Sequence, residues 1–289
     1  MGTNDTRSAN GRRDFLKVAG GFAAAAAAGC AGETTSAPAA AASKQTVDAR
    51  DRGLWITWYD LPDQGRDQYL SWLHGTYLPN LLKRRGYLWA AHYKANERTD
   101  SANIHHTTEP IGTGYHYILL IGAEDTHVFG DPTPTEINAA LPEDGRKMLA
   151  LRMGERVNIA AEAGRVDGSA LNAYRDGLMS APAIQIGSFN CELGAEEELH
   201  AGYVRSRLPA MAKTPTNVRN RNLKSVIGWA KHIILYEFTT PELFARDYEG
   251  AGRAGPLGIG GNSVVPKLTH APNGPNSAIR IWPATTATS

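Results

Sequence analysis

Hydrophobic and polar positions follow two rhythms between residues 53 and 250, and each rhythm predicts a different element. Leu54–Asp60 is a dense run of aromatic and β-branched residues bounded by polar ones, which predicts a strand. Leu70, Leu73, Tyr77, Leu78, Leu81 and Leu82 recur at helical spacing, which predicts an amphipathic helix over Asp67–Arg85. Lys83-Arg84-Arg85 followed by Gly86 suits a helix end, with cations against the dipole and a left-handed cap. Pro79 inside that helix removes a backbone donor and predicts a kink. Strands are predicted at Tyr87–Lys94 and Tyr115–Gly122, and helix around Pro134–Ala140 and Arg146–Ala163.

A second stretch has the same grammar. It predicts a strand at Ala183–Cys191, a helix over Ala195–Ala212, a polar insertion at Thr214–Asn222, strands at Ser225–Lys231 and His232–Phe238, and a short helix from Pro241. Sliding the chain against itself aligns the two. Tyr77–Lys83 falls on Arg207–Lys213, and Trp55–Asp60 on Gln185–Asn190, both at an offset of 130 residues. His116–Ile121 falls on His232–Glu237 at an offset of 116, which makes His116 and His232 equivalent strand starts. The shared order of these matches points to a duplicated unit, and Pro209 stands where Pro79 does.

Strand-helix-strand-strand-helix units build antiparallel sheets with helices on one face, and two such sheets can bury their other faces against each other. The fold class is therefore α+β, with two ferredoxin-like units in tandem whose sheets face each other as a barrel. Their extents are 51–170 and 171–250, followed by an irregular tail at 251–289 with one added strand at Ala278–Trp282. Trp58-Tyr59-Asp60, the helix Tyr69–Pro79 and the run Gly86–Tyr93 resemble the dimeric α+β barrel superfamily, in particular members related to EthD and to small cofactor-free monooxygenases. In those families the first helix borders the ligand cavity. The resemblance implies a small-molecule site and proton-transfer or oxygen chemistry on an aromatic or lactone-like ligand, by a monooxygenase or an isomerase.

The chain begins differently. Gly11-Arg12-Arg13-Asp-Phe-Leu-Lys17 precedes an Ala/Gly-rich stretch, and the arrangement resembles a twin-arginine export signal over residues 1–30. Ala27-Ala28-Gly29-Cys30 resembles a lipoprotein processing site, with Cys30 as the lipidated residue; simple cleavage near Ala37-Pro38-Ala39 is the alternative. Residues 31–50 read as a flexible linker. These features imply the twin-arginine translocase as a partner, a periplasmic or cell-envelope location and membrane attachment by a lipid anchor only. Without residues 1–29 the net charge of +1 falls to about −1, which leaves no electrostatic footprint for nucleic acid.

Candidate chemistry centres on aromatic and histidine positions. A cavity lined by Trp58, Trp72, His74, Tyr77 and Trp89 is expected, with His92, His116 and His232 as further ligand-facing groups. His74, Tyr77 and Asp60 are the candidate catalytic residues. Each has a plainer alternative: a partly exposed histidine beside a core tryptophan for His74, a turn or helix cap for Asp60, the edge of a core face for the strand histidines. His105-His106 lies in a polar loop without metal-ligand spacing, and no metal site is assigned. No phosphate loop, dinucleotide fingerprint or serine elbow is present, so no cofactor is predicted. One motif offers another reading. Gly164-Arg-Val-Asp167-Gly168 resembles the GxxDG pattern of dye-decolourising peroxidases. That resemblance implies haem, with Asp167 as distal acid, His232 as iron ligand and Arg246 or Arg253 as distal arginine. The plain reading of the motif is a helix end followed by a glycine turn. A non-catalytic periplasmic binding module is the third functional class.

Overall fold

The computed structural model describes residues 51–96, 104–172, 181–240 and 264–284. Arg12, Arg13, Cys30, the linker, the helix expected from Pro241, Arg246 and Arg253 lie outside the described residues.

Eight strands close into an antiparallel barrel. They are β1 (Gly53–Asp60), β2 (Tyr87–Ala95), β4 (Tyr117–Ala123), β5 (Met153–Asp167), β6 (Ala183–Cys191), β7 (Asn217–Ile227), β8 (His232–Phe238) and β10 (Asn276–Trp282). The order β10-β2-β4-β1-β5-β7-β8-β6 returns to β10 through the β10–β6 pairing. Short strands β3 (His105–His106) and β9 (Leu268–His270) extend the β6 edge. The tail is thus less irregular than its composition suggests, because β10 pairs with both β2 and β6 and closes the barrel between the two units.

Alternation along the strands sorts side chains between two cores. Leu54, Ile56 and Trp58 join Tyr93, Ile118, Ile186, Leu223 and Leu235 inside the barrel. Trp55 and Tyr59 point outward, where they meet Tyr69, Leu73 and Tyr77 from the first helix. Each fully buried leucine or isoleucine contributes about 1.5–3 kcal/mol of burial free energy, so the strands are held from both faces.

The duplication is visible in the register. Trp58 pairs with Ile118 on β4, and Ser188 pairs with Ile233 on β8. The bulge in β2 between Tyr87 and Trp89 recurs in β7 between Asn217 and Arg219, at the same offset of 130. The first helix consists of α1 (Arg66–Trp72), a π turn (Leu73–Tyr77) and α2 (Leu78–Leu81). Its counterpart consists of α5 (Glu196–Gly202), a π turn (Tyr203–Arg207) and α6 (Leu208–Ala212). Pro79 and Pro209 therefore do not simply kink their helices. The wide turn just upstream lets Leu78 N–H bond to Leu73 O, and Leu208 N–H to Tyr203 O, and so absorbs the donor missing at each proline. Gly86 has φ of 82°, as its place after the basic run predicts, with Val128 crowding the space where a Cβ would stand.

Three expectations need correction. Of the stretches expected as helix around Pro134–Ala140 and Arg146–Ala163, only α3 (Pro134–Ala139) and α4 (Glu143–Leu149) are helical, and Met153–Asp167 is the long strand β5. The polar run at Thr214–Asn222 is no insertion, since from Asn217 onward it is β7. The 116-residue offset is one residue long: Tyr59 pairs with Tyr117 and Phe189 with His232, so His232 corresponds to Tyr117 and not to His116.

Candidate active site

Three side chains make a hydrogen-bonded chain between the outer face of the sheet and the first helix. Tyr59 on β1 and His92 on β2 are both fully buried, and the Tyr59 hydroxyl lies 2.8 Å from His92 Nε2. His92 Nδ1 lies 2.8 Å from Nε2 of His74, which the π turn presents to the sheet. His74 is half-buried and stacks on Trp282 of β10, with ring centroids 5.6 Å apart and planes 11° from parallel. The chain thus runs from the core to a partly exposed imidazole, leaving His74 Nδ1 as the ring atom that can meet a ligand.

Burial holds both imidazoles neutral. His74 is pushed down to about 4 by burial, and His92 well below the ordinary histidine value by burial, with His74 and Arg152 adding to the effect. Burial also holds the Tyr59 hydroxyl well above its ordinary value, with Tyr69 raising it further and Arg152 opposing. Arg152 lies 4.6 Å from the Tyr59 ring centre, and its Nε donates to the Tyr69 hydroxyl at 2.7 Å.

A neutral imidazole has one N–H, and either tautomer of His92 satisfies both of its bonds. With the proton on Nδ1 it donates to His74 and accepts from Tyr59. With the proton on Nε2 it donates to Tyr59 and accepts from His74, while the Tyr59 hydroxyl turns to Tyr69. The two arrangements reverse the direction of both bonds while each ring stays neutral.

The remaining expected site residues are dispersed. Trp58 and Trp89 point into the barrel interior and, by register, lie near opposite ends of it. Arg156 stacks 4.6 Å from the Trp58 ring, and Trp89 Nε1 donates to Asp51 at 2.6 Å. Trp72 and Tyr77 line a separate cleft of about 600 Å³ between the first helix and α3–α4, which His74 does not line. The Tyr77 hydroxyl donates to Asn138 Oδ1 at 2.8 Å. Asp60 serves a turn: its Oδ1 accepts from Tyr115 N, His116 N and His116 Nδ1. Burial raises its carboxyl, but the backbone donors outweigh that and hold it below its ordinary value. His116 is half-exposed and precedes β4. His105 and His106 form β3, where His106 Nε2 donates to Gly274 O at 2.8 Å. The five residues expected around one cavity therefore divide among three places.

Tyr59, which with Asp60 ends the first strand where a side chain can project into a cavity mouth, joins the site, and so does Trp282, which is not among the expected residues. Tyr59 sits one residue from Asp60, and strand alternation sends it to the helix side. Trp282 ends the tail strand, and only barrel closure brings it to His74.

No protein-family model and no curated protein matches this chain. Solved structures do. An anthrone oxidase-like protein aligns over 81% of this chain and 93% of its own, with 10% identity and a TM-score of 0.53. A candidate monooxygenase from Fusobacterium nucleatum aligns over 79% and 90%, with 8% identity and a TM-score of 0.51. A dye-decolorizing protein from V. cholerae aligns over 80% and 94%, with 12% identity and a TM-score of 0.46. The fold is that of the dimeric α+β barrels.

Within this barrel the residues that the peroxidase resemblance assigns to haem do not fit it. Asp167 ends a strand and not a helix, and Gly168 follows it. Asp167 pairs across the ladder with Arg219, with a 3.0 Å ion pair, and a Cβ on Gly168 would run into Asn217 O. Close packing thus accounts for the motif. His232 is held at both nitrogens, by Lys224 and Glu196. Asp167 lies opposite Arg219 and His232 opposite Lys224, which separates them by about 17 Å along β7 at ~3.4 Å per residue.

Proposed function

We propose that this barrel protein binds a small planar molecule at the exposed end of the Tyr59–His92–His74 chain and catalyses proton-transfer chemistry on it, as a cofactor-independent monooxygenase or isomerase does. The chain itself carries this reading: two neutral imidazoles and a phenol, joined at 2.8 Å per link, run from the core to a half-exposed ring. His74 takes a proton from an acidic C–H or O–H of the ligand. His92 Nδ1 accepts the His74 Nε2–H hydrogen bond and so stabilises the imidazolium that forms, the Tyr59 hydroxyl accepts from His92 Nε2–H in turn, and Arg152 fixes the Tyr69 hydroxyl that borders the buried end. Trp282 supplies a flat face parallel to His74 against which an aromatic ligand stacks. An anthrone oxidase-like protein and a candidate monooxygenase among the fold neighbours agree with this class of chemistry.

The apolar cleft at Trp72 and Tyr77 favours a second reading, a binding module without catalysis, because its lining contains no part of the histidine chain. Titrating phenols, hydroquinones and aryl lactones against tryptophan fluorescence separates the two. Loss of binding in His74→Ala and Trp282→Ala, with Trp72→Ala unaffected, supports the first reading, and the reverse pattern supports the second.

The same proposal places the protein in the cell envelope after export through the twin-arginine translocase, with a lipid at Cys30. The amino-terminal residues Arg12, Arg13 and Cys30 support it. Fractionation tests it: Arg12→Lys with Arg13→Lys retains the precursor inside the cell, and Cys30→Ala moves the exported protein from the membrane to the soluble fraction.

A further inference from the structure

The duplication places a second polar cluster in the other unit, at positions that are chemically different in the first. Arg66, Lys94 and Tyr117 correspond to Glu196, Lys224 and His232: the helix starts match, and Lys94 faces Tyr117 across the ladder as Lys224 faces His232. The lysine is common to both units. Its two neighbours differ: arginine and tyrosine in the first unit, glutamate and histidine in the second.

In the second unit these three groups are joined. Lys224 Nζ lies 2.6 Å from His232 Nδ1, and His232 Nε2 lies 3.0 Å from Glu196 Oε1. Phe189 stacks on the imidazole at 5.6 Å, with planes 7° from parallel. The imidazole is buried, whereas Lys224 is half-buried and Glu196 reaches the rim, where Lys231 holds its other oxygen at 2.6 Å. With Nε2–H donating to the carboxylate, Nδ1 is left as an acceptor aimed at the amine. This is the order nucleophile, base, orienting acid. A proton passing from Nζ to Nδ1 leaves the positive charge beside Glu196, so no new charge separation opposes it. Burial also holds Lys224 below its ordinary value.

We propose that Lys224 is a second reactive centre, an amine that forms a Schiff base with a small aldehyde or ketone, with His232 as its base and Glu196 orienting the imidazole. His232 takes a proton from the ammonium, and the free Nζ lone pair attacks the carbonyl carbon to form a C–N bond. A second Nζ proton passes to the oxygen and gives a carbinolamine. The imidazolium then returns its proton to that hydroxyl, the C–O bond breaks and water leaves. The ammonium and carbonyl thus become an iminium ion and one water, with no change of oxidation state.

Reductive trapping on the full-length protein tests this, using propanal with cyanoborohydride at neutral pH and peptide mass spectrometry to follow each lysine. Lys224 is expected to be alkylated at least ten-fold faster than exposed Lys94, its counterpart in the first unit, and Lys231. In His232→Gln and in Glu196→Gln that advantage disappears while the Lys94 rate is unchanged, and a cooperative thermal unfolding transition in each variant shows that the fold persists. If Lys224 reacts no faster than Lys94, or keeps its advantage in both variants, the cluster is an ion network only and the proposal fails.

Discussion

At the scale of single residues, the site depends on hydrogen bonds that have no substitute. Tyr59→Phe removes the partner of His92 Nε2 in a fully buried position. An orphaned buried acceptor costs about 1–3 kcal/mol, and urea denaturation is expected to show a loss of that size. The imidazoles also fix a pH dependence. His74 titrates at about 4 when folded and at an ordinary 6.5 when unfolded, and His92 is shifted the same way. Between those values the unfolded chain binds more protons, so the contribution is complete above 6.5 and is lost as pH falls toward 4. Thermal unfolding at pH 7 and pH 4.5 tests this: the melting temperature falls with pH, and falls less in a His74→Gln, His92→Gln variant. Equal slopes in the two proteins contradict it.

At the scale of elements, the first strand, the first helix and the tail strand were legible because their hydrophobic spacing agrees with their packing. Met153–Asp167 was not, because its Ala, Glu and Arg content favours helix while pairing with β1 and β7 on both sides imposes strand. Asn217–Asn222 read as loop because its polar groups are paired inside the protein: Asn217 with Asn220, and Arg221 with Glu237. Half of the candidate site was readable, in that His74 and His92 are both named by the pattern. Their meeting was not, because a one-residue register error exchanges strand faces and because Trp282 arrives only through closure. The π turn gives a further prediction. Gly75 is exposed within it, and a Cβ there meets nothing within 4 Å. Gly75→Ala is expected to stabilise the protein by about 0.5–1 kcal/mol, as read from the denaturation midpoint, with ligand binding unchanged. Gly122→Ala drives a Cβ into the Trp89 ring at 2.2 Å and destabilises.

At the scale of the whole molecule, the barrel is the scaffold of the site, which sits on its outer face under the first helix. Hydrophobic side chains fill the interior, and one end carries a buried charge cluster. Arg221 reaches Asp51 at 2.6 Å and Glu237 at 3.2 Å, and Arg165 reaches Asp51 at 2.6 Å. Burial raises the Asp51 carboxyl, yet the two arginines hold it below its ordinary value. Arg221→Met leaves two buried carboxylates short of a cation and is expected to cost about 3–5 kcal/mol, with the slope of the denaturation curve unchanged. The second unit has Phe189, Asn222 and Val204 where the first has Tyr59, His92 and His74. The histidine chain therefore exists once, in the first unit.

Deuterium exchange into an aromatic carbon acid such as an anthrone, followed by proton NMR in D2O, tests that site most directly. Exchange above the buffer rate is expected with the wild-type protein and with Trp72→Ala, and a loss of about 100-fold or more in His74→Ala, the scale of a removed general base. Equal exchange with and without His74, or none above buffer in the wild-type protein, would contradict it.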